Sequence, residues 1–448
     1  MTLLPALVLA AAAVDGQAAL RHASALAALG PHPWGSPRGR FAAEYVAAQF
    51  RDAGLQEVRL EEFVDGGVPG INVIGVLRAG GPDRVVVGAH HDTVPGSPGA
   101  YDDGGGVGIV IETARVLARA AARPRTLVFA SWDGEEAVSS SSATTTGSRA
   151  FVKALGPEAR NVVGAIAVEM SGWSGGAPAL HPIAYSDPVR PGGSVICPRW
   201  LAAAVESGAR QRSAPLAVGD PLISWLYQPA VRTFRVNLYG DDLSFLQAGV
   251  PALMLSDSSF TRFYPWYHQA DDTADKLDPA ALARMGQAVL GAVEALSRTP
   301  RGELHEPAWF AAFGWFASGT VLLGAGAASL VPGLLRAVGS GGAFFAARLI
   351  QAALFLVLLW RHPVPALWVF LLPNLISALG RGVLPWAVAL LPAVALAALG
   401  GAAASRGQVG GLWLGTWEVG VTIAALALLV PAPGGPRRPV RKTRRRPR

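Results

Sequence analysis

The chain has 448 residues, a formal net charge of +7 and a sequence pI of about 10.0. Eight basic residues fall within the last twelve positions, so the rest of the chain carries a formal charge of −1 and the high pI describes only the tail. A single cysteine, Cys197, excludes a disulfide framework and a thiolate metal cluster, which leaves histidine and carboxylate as the metal ligands to search for.

The first fourteen residues form a short apolar segment. Residues 2–14 carry no charge, and this stretch is too short to span a bilayer but fits the apolar core of a secretory signal. No Lys or Arg precedes it, so a buried first helix or a start codon placed too far downstream explains the segment equally well.

Residues 15–306 have the pattern of an α/β domain. Five short runs of β-branched or continuous apolar residues are typical of strands that are covered on both faces. They lie at 71–77, 84–89, 126–131, 162–168 and 251–255. Between the second and third runs, residues 107–122 repeat apolar positions at helical spacing. This alternation predicts crossover helices and a largely parallel central sheet.

Residues 307–436 contain only six charged residues and predict a membrane region that contacts lipid. Five spans are expected, near 313–335, 341–360, 363–380, 382–404 and 409–431, which together would form an all-α bundle. Arg348 and Glu418 fall within spans, where charged residues usually face a bundle interior or reach an interface.

The basic tail at 437–448 favours a cytoplasmic flank over a role in nucleic-acid binding. Five spans then place residues 15–306 on the outer side of the cell membrane. If the segment with Arg348 does not cross, the domain lies in the cytoplasm instead.

Histidine and acidic residues follow several of the predicted strands. Zinc accepts histidine nitrogen and carboxylate oxygen, and two ions need a shared carboxylate with about two further ligands each. Catalytic groups in open α/β sheets gather beyond the carboxyl ends of the strands. Alone, each residue has an ordinary explanation such as a turn or a solvated pair, but their order along one chain predicts a two-zinc hydrolytic site. The candidate ligands are His90, Asp102, Glu136, Glu169 and His268.

Five segments carry a resemblance to a known enzyme family. They are Gly88-Ala89-His90-His91-Asp92, Pro98-Gly99-Ala100-Tyr101-Asp102-Asp103, Glu135-Glu136, Glu169-Met170 and Tyr267-His268-Gln269-Ala270-Asp271-Asp272-Thr273. In these segments the chain resembles the di-zinc aminopeptidases of the aminopeptidase Y and bacterial leucyl aminopeptidase type. The resemblance covers roughly residues 16–300 and implies a three-layer α/β sandwich with a mostly parallel central sheet, of the zinc exopeptidase type. The membrane portion is similar, less specifically, to multi-span relatives such as the endoplasmic reticulum metallopeptidases.

The resemblance also implies a role for each site residue. Asp102 would bridge two zinc ions, His90 and Glu169 would complete one ion, and Glu136 and His268 would complete the other. Asp92 would hold the His90 ring and fix its tautomer. Glu135 would be the general base that takes a proton from the bridging water and passes it to the leaving amine. Because family members remove N-terminal residues, peptides are the expected substrates.

Several positions depart from the family's pattern. Gly240-Asp241-Asp242 stand where the family has S-D-H, Gln269 replaces the usual Ser or Thr, and Glu169 stands where many members have Asp. Alternatives on the same scaffold are a carboxypeptidase, a glutaminyl cyclase that works with one zinc, and a non-catalytic receptor-like relative. The complete ligand set argues against the last. Nothing in the sequence predicts the oligomeric state.

Overall fold

The computed structural model describes residues 13–120, 123–136, 145–186, 194–218, 240–259, 262–302, 309–312 and 315–318. In these ranges the strands are, in chain order, β1 (Glu57–Asp65), β2 (Val68–Leu77), β3 (Arg84–His90), β4 (Thr126–Trp132), β5 (Val162–Val168), β6 (Ala179–His181), β7 (Ala184–Ser186), β8 (Ser194–Ile196), β9 (Ala217–Val218), β10 (Ala252–Ser256), β11 (Trp309–Ala312) and β12 (Trp315–Ser318). The helices are α1 (Gly16–Ala27), α2 (Pro37–Asp52), α3 (Gly105–Ala118), α4 (Thr146–Leu155), α5 (Arg199–Gln211), α6 (Asp242–Gln247) and α7 (Pro279–Leu296). A π-helical turn spans Ala100–Gly104, and 3-10 turns span Gly156–Asn161 and Ala274–Lys276.

Eight of these strands form one mixed sheet in the order β1-β2-β4-β3-β5-β10-β6-β9. The central strands β4, β3, β5 and β10 run parallel to their neighbours within this group. By contrast, the pairs β1–β2, β2–β4 and β10–β6 are antiparallel. The predicted largely parallel arrangement therefore holds for the central strands and for the outer pair β6–β9, whereas the other three pairs are antiparallel. One reason is the two-residue turn at Gly66 and Gly67, whose positive φ angles suit a tight hairpin that reverses the chain between β1 and β2.

Three of the helices begin after a residue whose side chain caps the helix. The carboxylate of Asp15 accepts hydrogen bonds from the backbone N–H groups at the start of α1, and the Ser36 hydroxyl accepts one at the start of α2. Asp278 caps α7 in the same way. A proline occupies the first helical position of both α2 and α7, where its missing N–H costs no hydrogen bond.

Helices cover both faces of the large sheet. On one side of β3, Val85, Val87 and Ala89 join a core that also contains apolar residues of α1, α2, α3, α5 and α7. On the other side, Trp132 at the end of β4 packs against Phe151 of α4 and Phe245 of α6. The domain is thus a three-layer α/β sandwich, as predicted. This double covering explains why the central strands are continuous apolar runs in the sequence.

Residues 1–12 of the predicted signal segment and nearly all of the predicted membrane region lie outside the described residues, whereas Val14 is described and buried in the core. Where the first predicted span, 313–335, overlaps them, residues 315–318 form strand β12, paired antiparallel with β11, so the prediction of a helix is wrong there. The aromatic residues Trp315 and Phe316 favour strands, which accounts for the difference. Within the described ranges, no helix combines the length and the apolarity that a bilayer crossing requires.

Candidate metal centre

The predicted site residues come together at the carboxyl edge of the central strands. Parallel strands bring their carboxyl ends to the same edge, so residues far apart in sequence meet there. His90 ends β3, Glu135 and Glu136 follow β4, Glu169 follows β5, Asp102 lies in the π-helical turn before α3, and His268 lies in the loop after β10.

Asp102 lies between the two histidines and directs one carboxylate oxygen toward each. Its Oδ1 is 3.3 Å from His90 Nε2, and its Oδ2 is 3.2 Å from His268 Nε2. Glu169 Oε1 lies 3.2 Å from His90 Nε2. Glu136 Oε1 lies 2.9 Å from His268 Nε2. The five predicted ligand residues therefore form two groups that share Asp102.

These separations and charges fit a pair of zinc ions. Ligand atoms around a tetrahedral zinc ion with bonds of about 2.0 Å lie about 3.3 Å apart, close to three of the four separations. The carboxylates of Asp102, Glu135, Glu136 and Glu169 are all buried, and divalent cations bound among them would offset their negative charge. Histidine nitrogen and carboxylate oxygen are also donor types that zinc accepts.

Asp103 is a further acidic residue of the site, to which the sequence assigned no role. One ligand atom from each of His90, Asp103 and Glu169 lies within 4.8 Å of the others. The Oδ1 of Asp103 accepts a hydrogen bond from the Gly106 N–H at 3.1 Å. Asp102 contacts both histidines, whereas Asp103 belongs to the His90 group alone. The geometry therefore favours Asp102 as the shared ligand.

Asp92 holds the loop that carries Glu135 and Glu136. Its two carboxylate oxygens accept hydrogen bonds from the backbone N–H groups of these two residues, each at 3.1 Å. His90 Nδ1 lies 3.0 Å from the carbonyl oxygen of Asp92 and 3.5 Å from its carboxylate. The expected contact with the His90 ring is thus closest through the main chain, and the carboxylate has the additional task of positioning Glu135.

Asp272 fixes the turn that presents Asp102. Its buried carboxylate accepts hydrogen bonds from the backbone N–H groups of Tyr101 at 2.9 Å and Asp102 at 3.2 Å. It also accepts one from the Tyr264 hydroxyl at 3.0 Å. The sequence motif that contains His268 also includes Asp272, but the motif alone predicts no role for this residue. Its position close to His268 is the only indication in the sequence that it supports the site.

A second buried hydrogen-bond group supports the same turn. The Tyr101 hydroxyl donates to the carboxylate of Asp257. The other oxygen of Asp257 accepts from the backbone N–H groups of Gly172 at 2.7 Å and Trp173 at 3.2 Å. Burial raises the pKa of Asp257 to about 6. Tyr101 also stacks on Tyr264 with ring centroids 4.0 Å apart, so two fully buried aromatic rings anchor the turn.

Two glycines permit the close backbone turns of the site. Gly99, with φ of 66°, precedes the turn that carries Asp102, and a Cβ there would come 2.4 Å from Thr93 Cγ2. Gly134, with φ of 72°, precedes Glu135, and a Cβ there would come 2.1 Å from Thr146 Oγ1. A larger residue at either position would displace a functional side chain.

Burial and mutual repulsion shift the acidic groups of the site. Burial raises the pKa of Glu135 well above its usual range, and the nearby Glu169 carboxylate raises it further. Burial also raises the pKa of Glu136 to about 7. Burial likewise favours the neutral form of Asp102, but hydrogen bonds from His268 and His90 outweigh it and hold the pKa of Asp102 below its ordinary value. Cations bound at this edge would stabilise the ionised forms of these three carboxylates and so lower their pKa values.

Comparisons with known proteins agree with this architecture. The profile of Peptidase family M28 matches residues 72–293. The uncharacterized protein YfbL of Escherichia coli strain K12 is 27% identical over 262 residues, which cover 55% of this chain and 77% of that protein. BSAP, a zinc aminopeptidase from Bacillus subtilis, superposes with a TM-score of 0.50 at 17% identity over 63% of this chain and 95% of that structure. The glutaminyl cyclase of Porphyromonas gingivalis superposes with a TM-score of 0.50 at 20% identity, over 62% of this chain and 98% of that structure.

The identities to the two structures are low, so the superpositions show the shared fold alone. The profile match spans β2 to α7 and thus includes the strands and turns that carry all of the predicted site residues. It confirms the family resemblance found in the sequence motifs. Over residues 72–293, just under half of the chain, the protein matches Peptidase family M28.

Proposed function

We propose that the protein is an aminopeptidase that holds two zinc ions between Asp102 and the two histidines. The observation that carries the proposal is the Asp102 carboxylate, with one oxygen 3.3 Å from His90 and the other 3.2 Å from His268. His90 and Glu169 would complete one ion, and Glu136 and His268 would complete the other. The likeness of the fold to BSAP, a zinc aminopeptidase, supports this choice.

Bound zinc ions would polarise the scissile carbonyl of a peptide and lower the pKa of the attacking water. Glu135 is the residue best placed to act as the general base, because it adjoins the ligand Glu136 and its main chain is fixed by Asp92. Its carboxylate takes the proton of the attacking water and delivers it to the leaving amine. The burial of Glu135 keeps bulk water away from this proton transfer.

Replacing the general base tests the proposal. In Glu135→Gln, kcat/KM on short peptides should fall by about 10²- to 10⁴-fold, since a positioned general base contributes that much. Elemental analysis should still find two zinc ions per chain, because Glu135 is not a proposed ligand. Glu158→Gln, at the opposite edge of the sheet, serves as the control and should keep full activity. Zinc-loaded wild-type protein that cleaves no peptide of any terminal type would refute the function.

A glutaminyl cyclase is the second candidate, favoured by the likeness of the fold to the Porphyromonas gingivalis enzyme. Two measurements separate the candidates. One zinc ion per chain, together with cyclisation of an N-terminal glutamine, would support the cyclase. Two zinc ions and release of an N-terminal residue would support the aminopeptidase. Cleavage of peptides with a blocked N-terminus but not of those with a blocked C-terminus would instead support a carboxypeptidase.

We further propose that the chain beyond residue 318 anchors the catalytic domain to the cell membrane, with the domain outside and the basic tail in the cytoplasm. The support is the scarcity of charge across residues 307–436 and the eight basic residues of the tail. Protease added to intact cells should digest the catalytic domain. Digestion only after the cells are opened would reverse the orientation, and recovery of the protein without membranes would refute anchoring.

A further inference from the structure

Asp241 lies at the same edge of the sheet as the metal centre but outside the proposed ligand set. It directly precedes α6, and α6 leads through a short loop into β10. The helix therefore runs against the direction of the strand, and its first residues lie at the carboxyl edge. Phe245 follows Asp241 by four residues on the same face of the helix and packs on Trp132 at the end of β4, with ring centroids 5.7 Å apart.

Hydrogen bonds connect this segment to the loop that carries Glu135. The Ser244 hydroxyl donates to the carbonyl oxygen of Thr145 at 3.3 Å. The Thr145 N–H donates to the carbonyl oxygen of Glu135 at 3.0 Å. The hydroxyl of Ser148, three residues after Thr145, donates to the Ser244 hydroxyl at 2.9 Å. The start of α6 is thus fixed beside the proposed general base.

The carboxylate of Asp241 is buried with little hydrogen bonding from the described residues. Asp241 is 1% exposed, and neither of its carboxylate oxygens has a partner with full hydrogen-bond geometry there. Asp242 differs, because its Oδ1 accepts a hydrogen bond from the Tyr185 hydroxyl at 2.8 Å. Burial raises the pKa of Asp241 to about 7, although the nearby Ser148 hydroxyl partly lowers it. Keeping an unpaired carboxylate buried costs stability, and a cation that enters the site with the substrate would offset that cost.

We propose that Asp241 binds the protonated α-amino group of the peptide substrate. This inference rests on the proposed aminopeptidase function and deepens it, because a free α-amine is the cation that every substrate of such an enzyme brings to the site. An ammonium group paired with Asp241 would set the first peptide bond beside Glu135 and the metal centre. A peptide with a blocked N-terminus would leave the carboxylate unpaired and bind more weakly.

The test measures amine recognition without depending on catalysis. Calorimetry on the zinc-loaded protein compares L-leucinol with 4-methylpentan-1-ol, which has the same carbon skeleton and hydroxyl but lacks the amine. Wild-type protein should bind leucinol more tightly. Asp241→Asn should lose about 10- to 100-fold of this preference, as expected for a hydrogen bond to a charged group. Both alcohols should still bind, and two zinc ions should remain.

Two controls separate substrate binding from a structural role. Asp83→Asn changes an exposed carboxylate, paired with Arg125 at 3.4 Å, that precedes β3 at the far edge of the sheet, and it should keep the full preference for leucinol. Asp241→Asn should be at least as stable as the wild type, because the substitution removes a buried unpaired charge. If Asp241→Asn does not fold, Asp241→Ser makes the same comparison.

The possible outcomes are distinct. An unchanged preference for leucinol in a folded, zinc-loaded Asp241 variant would refute the proposal. Failure of both variants to fold would also refute it, because the carboxylate would then have a structural role. A wild-type protein that prefers leucinol through Asp241 but cleaves no peptide would leave the amine site standing and refute the proposed function instead.

Discussion

Charged side chains are balanced differently at the two ends of the central strands, the amino-terminal edge and the carboxyl edge. Around a cavity of about 490 Å³ at the amino-terminal edge, arginines are paired with acidic side chains, as in the contact of 2.7 Å between Arg84 and Glu158. Arg78 and Glu57 form a second such pair, with Nη2 2.8 Å from Oε2. At the carboxyl edge, buried carboxylates outnumber the histidines that face them. Charge at the first edge is neutralised within the chain, whereas charge at the second requires cations from outside.

Replacing Asp102, the proposed shared ligand, should have the largest effect on the carboxyl edge. Asp102→Asn replaces the carboxylate that contacts both histidines with a neutral amide. We expect zinc content to fall below two ions per chain and kcat/KM to fall by more than the roughly 100-fold that loss of a supporting residue produces. Elemental analysis and peptide kinetics measure both effects. Retention of two ions with near-normal activity would show that Asp102 is not the bridge.

Loosening the support of the Asp102 turn should have the next largest effect. Each carboxylate oxygen of Asp272 accepts a hydrogen bond from one backbone N–H, of Tyr101 or of Asp102. In Asp272→Asn one oxygen still accepts, but an amide NH₂ replaces the other, so one of the two backbone N–H groups loses its acceptor. Zinc affinity or activity should fall by about 10- to 100-fold. Competition with a zinc chelator measures the affinity. If Asp272→Asn binds zinc as tightly as the wild type, the turn does not depend on this carboxylate.

The pH dependence of zinc binding should distinguish the two edges. Burial raises the pKa of Glu136 to about 7. Burial lowers the pKa of His268, but hydrogen bonds to Asp102 and Glu136 outweigh it and raise that pKa to about 10. Zinc must therefore displace at least one proton between pH 7 and pH 9, from His268, and a further one below pH 7, from Glu136. Each proton reduces zinc affinity by about tenfold per unit fall in pH.

Chelator competition across this range should show a slope that steepens below pH 7. A zinc affinity that does not change with pH would contradict the assignment of Glu136 and His268 as ligands. Glu158→Gln should leave the pH profile unchanged, because Glu158 lies at the opposite edge.

The smallest effect is expected at the amino-terminal edge itself. Glu158→Gln removes one partner of Arg84 at a position where the Glu158 side chain is 62% exposed. The free energy of unfolding should change by less than about 1 kcal/mol, because solvent screens exposed ion pairs. Thermal and urea unfolding check this value. A larger loss would mean that the two edges do not differ as described.

The sequence was sufficient to predict the centre of the fold and which candidate side chains lie together at the carboxyl ends of its strands. Strands β3, β4 and β5 match the predicted apolar runs to within one residue, because strands buried on both faces leave a continuous apolar pattern. Asp102 and His268 could be identified because each belongs to a motif that also contains its neighbours. Strand β1 was missed, since its charged and half-exposed residues resemble those of a surface loop.

The contacts that support the site could not be predicted from local pattern. Asp272 reaches the N–H of Asp102 across 170 positions, and Asp257 reaches Tyr101 across 156. Neither spacing follows from helix or strand periodicity, because it depends on where two loops meet after folding. The poor hydrogen bonding of Asp241 is invisible for the same reason: the lack of a well-placed partner in the described ranges becomes apparent only when the surrounding side chains are in place.

The most direct test of the account is a crystal structure of the zinc-loaded protein with anomalous data collected at the zinc edge. We predict two peaks, one on each side of the Asp102 carboxylate. His90 and Glu169 should contact one peak, and Glu136 and His268 should contact the other. A single peak, or zinc bound elsewhere while these five side chains remain empty, would contradict the central claim.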